Sequence, residues 1–267
     1  KMAEGHLEQR LEIKNQTHNE IVDLALACNH MADQLEKVDS SRQQFVSNVS
    51  HELKTPLSSI KVLSESILLQ EEVPKEMYVE FLHDINSEID RMSAIINDLL
   101  TLVKLDQKEI PLNFAETDLN KVMEDIIKRM TPLAAAKQIQ IHYSKEKEVL
   151  AEADEMKLTL AISNLVDNAI KYTPEGGNVT VVLDADHQNA FITVTDTGIG
   201  IPEDEINRIF ERFYRVDKTR DRETGGTGLG LSITYATVMM HNGSIKVNSK
   251  EEEGTSIQMR IPLHQNS

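Results

Sequence analysis

Apolar residues recur at three- and four-residue intervals through the first hundred positions, then give way to short alternating runs. Ile21, Leu24, Cys28, Met31 and Leu35 form one series, and Phe45, Val49, Leu53, Leu57 and Ile60 form another. Such spacing lays a stripe along one face of a helix, and the first series has the a/d rhythm of a parallel coiled coil. The second belongs to a long helix expected from about residue 38 to 70. A further helix, from about 74 to 105, carries Phe81, Leu82, Ile85, Ile89, Met92, Ile95, Ile96, Leu99, Leu102 and Val103. The break between these two helices is short, so they are expected to pack antiparallel as a hairpin. The stripe on the second helix is too wide for one partner and fits a dimeric four-helix bundle made by two hairpins.

From about residue 112 the pattern is mixed. Helices are expected at about 118–136, 154–171, 203–211 and 228–241, and strands at about 138–143, 179–184, 190–195, 244–249 and 256–261. Asp186 to Asn189 separates two alternating runs and reads as a hairpin turn. Glycine use divides the chain at the same place, because only Gly5 precedes residue 176 and the other ten lie between Gly176 and Gly254. The fold class that follows is multidomain: a helical coiled coil and all-α bundle, then an α+β sandwich with helices on one face of a mixed sheet. Residues 106–111 read as a linker between the two.

Candidate chemistry falls in five clusters. His51, Glu52, Leu53, Lys54, Thr55 and Pro56 put a histidine, a carboxylate, a hydroxyl and a proline within two helical turns. Pro56 cannot donate to the carbonyl of Glu52, a break expected to cost about 3 kcal/mol and to bend the helix one turn beyond His51. Thr55 stands four residues after His51, on the same helix face. Asn164, Asn168 and Lys171 share a face of a later helix, with Tyr172 next to them. A carboxamide oxygen suits magnesium, and an ammonium balances phosphate charge. Asp196, at the end of a strand, is followed by Gly198 and Gly200. A carboxylate there accepts hydrogen bonds and matches the exocyclic amine of adenine. Phe210 to Arg215 forms the fourth cluster. Gly226, Thr227, Gly228, Leu229 and Gly230 form the fifth, and glycine amides at a helix start make a cradle for phosphate. No strand feeds this glycine triplet directly, which argues against a dinucleotide-binding βαβ unit. Between the last two clusters, Lys218, Arg220 and Arg222 lie in a polar stretch that reads as a mobile lid over a triphosphate.

In this order, the clusters resemble the H, N, G1, F and G2 boxes of HAMP/HisKA-type sensor histidine kinases, whose catalytic domain is of the GHKL ATPase superfamily. Residues 1–38 resemble the connector and second helix of a HAMP domain, although Asn19 stands where that family commonly has an aspartate. The resemblance implies a partial HAMP segment at 1–38, a dimerisation and phosphotransfer domain at 39–107 and a catalytic ATP-binding domain at 112–264. It further implies ATP and Mg2+ as cofactors, with Asn168 toward the metal. Asn164, Asn168, Lys171, Tyr172, Asp196, Gly198, Gly200, Arg215 and Gly226 to Gly230 would surround the nucleotide. His51 would receive the γ-phosphoryl with Glu52 as base, a cognate response regulator would take it onto an aspartate, and Thr55 would serve dephosphorylation of that regulator. The alternatives are a GHKL ATPase that drives clamp closure, which has no use for the His51 cluster, and a non-catalytic signalling scaffold, against which the intact nucleotide boxes speak.

Composition narrows the partners. The formal net charge is -16, which argues against nucleic acid as a ligand. One cysteine, Cys28, excludes an intramolecular disulfide and a multi-cysteine zinc site and fits a reducing compartment. No run of about eighteen apolar residues occurs, so a membrane would be reached only through a missing N-terminal region. With Lys1 in place of an initiator methionine, the chain reads as a fragment, and the resemblance implies that it is the cytoplasmic portion of a bacterial cell-membrane protein.

Overall fold

The computed structural model describes residues 20–69, 74–106, 112–216 and 226–265. Two compact units divide within the second helix, between Ile89 and Asp90. The first unit contains helix α1, Glu20–Leu68, and the start of α2, Lys75–Asp106. Helix α1 is continuous for 49 residues and runs through the domain boundary expected near residue 38. It also continues past Pro56, which is buried. A proline in a helix removes one donor and leaves the neighbouring turns to hold the axis. The turn at 70–73, the linker at 107–111, the lid at 217–225 and residues 1–19 lie outside the described residues.

The second unit holds the α/β module. Its strands are β1 (Ala115–Asp118), β2 (Gln140–Lys145), β3 (Leu150–Ala153), β4 (Asn178–Ala185), β5 (Asn189–Asp196), β6 (Ser244–Lys250) and β7 (Gly254–Pro262). Helices α3 (Leu119–Ala136), α4 (Glu155–Tyr172) and α5 (Gly230–Met240) complete it. Five strands form one mixed sheet in the order β2-β4-β5-β7-β6, in which only the β2–β4 pair is parallel. Alternate residues of β4 and β5 are buried: Val179, Val181 and Leu183 on one, Ala190, Ile192 and Val194 on the other. They meet Leu158, Ile162, Leu165 and Val166 of α4 in one apolar core with α3 residues Met123 and Ile126. The expected turn at Asp186 is present, and its carboxylate accepts from the amides of Gln188 and Asn189, both at 2.7 Å.

Two features depart from the sequence reading. β1 and β3 pair as a separate two-stranded sheet that no apolar alternation announced. The segment 203–211, expected as a helix, is a succession of turns in which Glu205, Arg208 and Glu211 donate to carbonyls three residues back. Ile209 is buried in it, and Phe210 lies 5.3 Å from the ring of Tyr235. The apolar spacing there reflects docking rather than a helical stripe.

Carboxylates start two of the helices. Asp118 accepts from Asn120 and Lys121 at the head of α3, and Asp154 accepts from Lys157 at the head of α4. A capping side chain of this type contributes about 1 kcal/mol. Asp154 also accepts from the amide of Asn113, which ties down the beginning of the module. The Asp154 amide donates to Nε2 of His241 at 3.0 Å, while Nδ1 of that ring faces the carbonyl of Thr237 at 2.8 Å. The proton of this buried ring therefore sits on Nδ1. Burial lowers the His241 pKa from its ordinary 6.5. A depressed histidine contributes stability above its unfolded value and loses it as pH falls through the folded pKa. Urea unfolding of the protein should therefore show stability dropping below about pH 6.5. In His241→Gln, whose amide oxygen can still accept from Asp154 and does not titrate, that slope should be smaller. Identical slopes in the two proteins would contradict the assignment.

Candidate functional site

The two groups of sequence-predicted residues lie on different scaffolds. His51 is exposed on α1, Glu52 is half-buried and Thr55 is exposed. The Thr55 hydroxyl donates to the carbonyl of His51 at 3.1 Å. This i-to-i−4 bond occupies the hydroxyl proton and leaves the oxygen's two lone pairs as acceptors. Thr55 and His51 are thus on one face, as their spacing predicts.

The second group surrounds a cavity in the α/β module. Asn168, Tyr172, Asp196, Gly200 and Arg215 line it, with Leu165, Ala169, Val194, Ile199, Ile201, Thr255 and Ile257 supplying apolar walls. Asp196 ends β5, where one oxygen of its carboxylate, Oδ1, accepts from the amides of Gly198 at 2.8 Å and Thr255 at 3.2 Å. With Oδ1 engaged, Oδ2 is left to read a ligand. Burial raises the Asp196 pKa, against which those two amides act. Gly198 is fixed by space: a Cβ there would lie 2.6 Å from both the Asp196 carboxylate and the Tyr172 carbonyl. The α4 helix delivers Asn168 and Tyr172, and its last carbonyls, those of Ile170 and Lys171, accept from the Lys137 ammonium at 3.2 and 2.8 Å. A cation there complements the helix C-terminus.

The remaining expected residues lie outside the cavity lining. Lys171 approaches Gly226 so closely that a Cβ on the glycine would collide with its ammonium. Arg215 donates to the Gly226 carbonyl. Gly228, with φ +69°, sits against the Phe213 backbone, whose amide donates to the Gly228 carbonyl at 2.9 Å. Gly230 begins α5, and no side chain caps that helix start. The start of a helix is in general a place where backbone amides can meet a phosphate.

Three of the expected residues make contacts of their own within the protein. Asn164 does not line the cavity; its amide donates to the Gly230 carbonyl at 3.2 Å and fastens α5 to α4. Leu229 is fully buried and its amide donates to the Thr227 hydroxyl at 3.2 Å, so it supports the loop from the core. Thr227 itself donates to Asp98, on α2, at 2.7 Å. In the other direction, Thr255 joins the site without having been read from the sequence. It follows no box, and only the register that pairs it with Asp196 places it there.

Comparison with known proteins gives this geometry its family. Residues 41–108 match the His Kinase A (phospho-acceptor) domain, and residues 153–265 match the histidine kinase-, DNA gyrase B- and HSP90-like ATPase. The chain belongs to the sensor histidine kinases. It is 37% identical to the sensor histidine kinase WalK of Bacillus subtilis over 90% of its own length and 40% of WalK's. Among solved structures, it resembles histidine kinase ThkA in complex with the response regulator protein TrrA (TM-score 0.68, 22% identity, 86% of this chain and 66% of that one). It also resembles full-length ShkA in complex with AMPPNP (TM-score 0.62, 28% identity, 84% and 46%). The chain thus spans under half the length of WalK.

Asparagine in place of Asp196 separates stability from binding. An acid raised by burial contributes stability below its unfolded pKa and loses it as pH rises through the folded one, so the charged form is disfavoured at neutral pH. Asp196→Asn should leave the ligand-free melting temperature unchanged or higher at about pH 7.5. It should also weaken adenine-nucleotide binding at least about tenfold, since an amide can place a donor against the adenine amine. Calorimetric titration and thermal unfolding of the same sample measure both, and unchanged affinity would show that Asp196 does not read the base.

Proposed function

We propose that this chain is an ATP-dependent protein-histidine kinase that phosphorylates His51 and passes the phosphoryl group to an aspartate of a cognate response regulator. The observation that carries the nucleotide reading is Asp196: a half-buried carboxylate at a largely apolar cavity, with one oxygen held by two amides. Support comes from ShkA, which was solved with an ATP analogue, and from ThkA, which was solved with a response regulator. Residues 39–107 would form the dimerisation and phosphotransfer module and 112–264 the catalytic module. Exposed Leu57, Leu82, Ile96 and Leu100 support the homodimer, because isolated helices leave such surfaces to a second copy. Leu24, Met31 and Leu35, also exposed, support a HAMP-type coiled coil feeding into α1 from a membrane-attached sensor. No described helix is long and apolar enough to cross a membrane itself.

In the reaction, the lone pair of the unprotonated ring nitrogen of His51 attacks the γ-phosphorus. The bond from that phosphorus to the bridging oxygen breaks, ADP leaves, and the proton of the other ring nitrogen passes to Glu52. Asn168 offers a carboxamide oxygen to Mg2+, and no cluster of three or more histidine, cysteine or acidic side chains that could hold a metal occurs among the described residues. The Asn168 carboxamide fits magnesium, an ion that prefers oxygen ligands and would supply charge neutralisation at the phosphates. Lys171 and the first amides of α5 would hold the phosphates from the protein side.

Thr55 would serve the reverse activity. Its hydroxyl proton is committed to the helix backbone, so its oxygen is oriented to accept from a water attacking an aspartyl phosphate. Two variants test the assignment. His51→Ala should abolish acid-labile, base-stable phosphoryl incorporation while MgATP affinity stays within about twofold, as its site is built from other residues. Thr55→Ala should retain autophosphorylation within severalfold and lose most phospho-regulator dephosphorylation. Residual labelling in the first variant, or equal loss of both activities in the second, would refute the corresponding role.

A further inference from the structure

The nucleotide cavity depends on a loop, Thr197 to Ile201, that belongs to no strand or helix. Each amide in such a loop needs its own acceptor. Thr197 donates to the Asn178 carbonyl, Gly198 to Asp196 and Ile199 to the Tyr172 carbonyl. The amide of Ile201, at the far end, donates at 2.8 Å to a side chain instead: the hydroxyl of Ser249 on β6.

Ser249 is also joined to the other wall. Its hydroxyl lies 3.0 Å from the Gly254 carbonyl and 2.8 Å from the hydroxyl of Thr255, and it has one proton to give to either. Thr255 lines the cavity and donates its amide to Asp196. The β6–β7 turn presses on the same loop at two more points. Glu252 donates to the Ile199 carbonyl at 2.7 Å, and Gly200 passes so near the turn that a Cβ would collide with the Lys250 carbonyl. On β6, Ile245 and Val247 pack against the apolar core, four and two residues before Ser249. An aliphatic residue would continue that face; the hydroxyl is there because a loop amide must be answered.

We propose that Ser249 is a positioning residue for the adenine pocket, holding Ile199–Ile201 and Thr255 at fixed separation so that the Oδ2 of Asp196 meets the base. This role rests on the nucleotide reading given above. It acts on binding of the base and leaves the transferring phosphate alone, so it belongs to KM rather than kcat.

The test uses the 267-residue chain with MgATP as probe, for wild type, Ser249→Ala and Ser249→Thr. In Ser249→Ala the Ile201 amide loses its acceptor, and MgATP affinity should fall about tenfold, with the autophosphorylation kcat within about twofold. Ser249→Thr retains the hydroxyl and should bind within about threefold of wild type. Wild-type affinity in the alanine variant would overturn the role, as would equal loss of kcat and KM or failure of threonine to restore binding. Amide hydrogen exchange of the ligand-free wild type gives a readout independent of how the variants fold: the Ile201 amide should be protected, and exchange at an open-loop rate would also overturn the proposal. Absence of MgATP binding by the wild type would instead refute the nucleotide reading itself.

Discussion

Two backbone amides from opposite sides, those of Gly198 and Thr255, converge on one oxygen of Asp196, and much of the α/β module is arranged to bring them there. The Gly198 amide is available because the chain turns sharply on leaving β5, against the last carbonyls of α4. The Thr255 amide is available because β7 pairs with β5 in the register that sets Thr255 opposite Asp196. A slip of one residue would reverse which side chains of β7 face the core, so burial of Ile257, Met259 and Ile261 enforces the register. Hydrophobic packing along nine residues of β7 thereby fixes the position of a hydrogen bond at its start. The charge itself opposes burial, and the amides partly offset that cost in the absence of any ligand.

Chemistry carried by contiguous residues was legible in the sequence, whereas chemistry assembled by strand pairing was not. His51 and Thr55 are one turn apart on a helix, so spacing alone puts them on one face. Asn168 and Tyr172 are likewise separated by one turn of α4, and both reach the cavity. Asn164 has the same spacing but meets the start of α5, a contact that depends on where a helix sixty-six residues later docks. Thr255 and Ser249 enter the site through sheet register and a hairpin turn, features with no local signature.

The same division explains the fold. Strands with clean alternation, such as β4 and β5, and helices with apolar stripes, such as α3 and α4, were readable from period alone. The four-residue β1 and β3 were not, because Glu116 and Glu152 occupy paired positions and only Ala115 opposite Ala153 hints at contact. At 203–211, Ile206, Ile209 and Phe210 imitate helical spacing, yet the chain bonds three residues back from Pro202 onward. Proline removes a donor at the start of that run and favours the tighter turn.

The continuity of α1 has a mechanical meaning. From Glu20 to His51 the helix runs without interruption, a span of about 46 Å at the usual rise of about 1.5 Å per residue. Over that span every turn is locked to the next, so torque applied near Glu20 arrives at His51 as rotation of the imidazole about the helix axis, with no intervening joint to absorb it. The one backbone donor that the helix lacks by covalent necessity is at Pro56, beyond the histidine. The helix is thus unbroken up to the proposed phospho-acceptor, and the donor it lacks lies just over one turn beyond it.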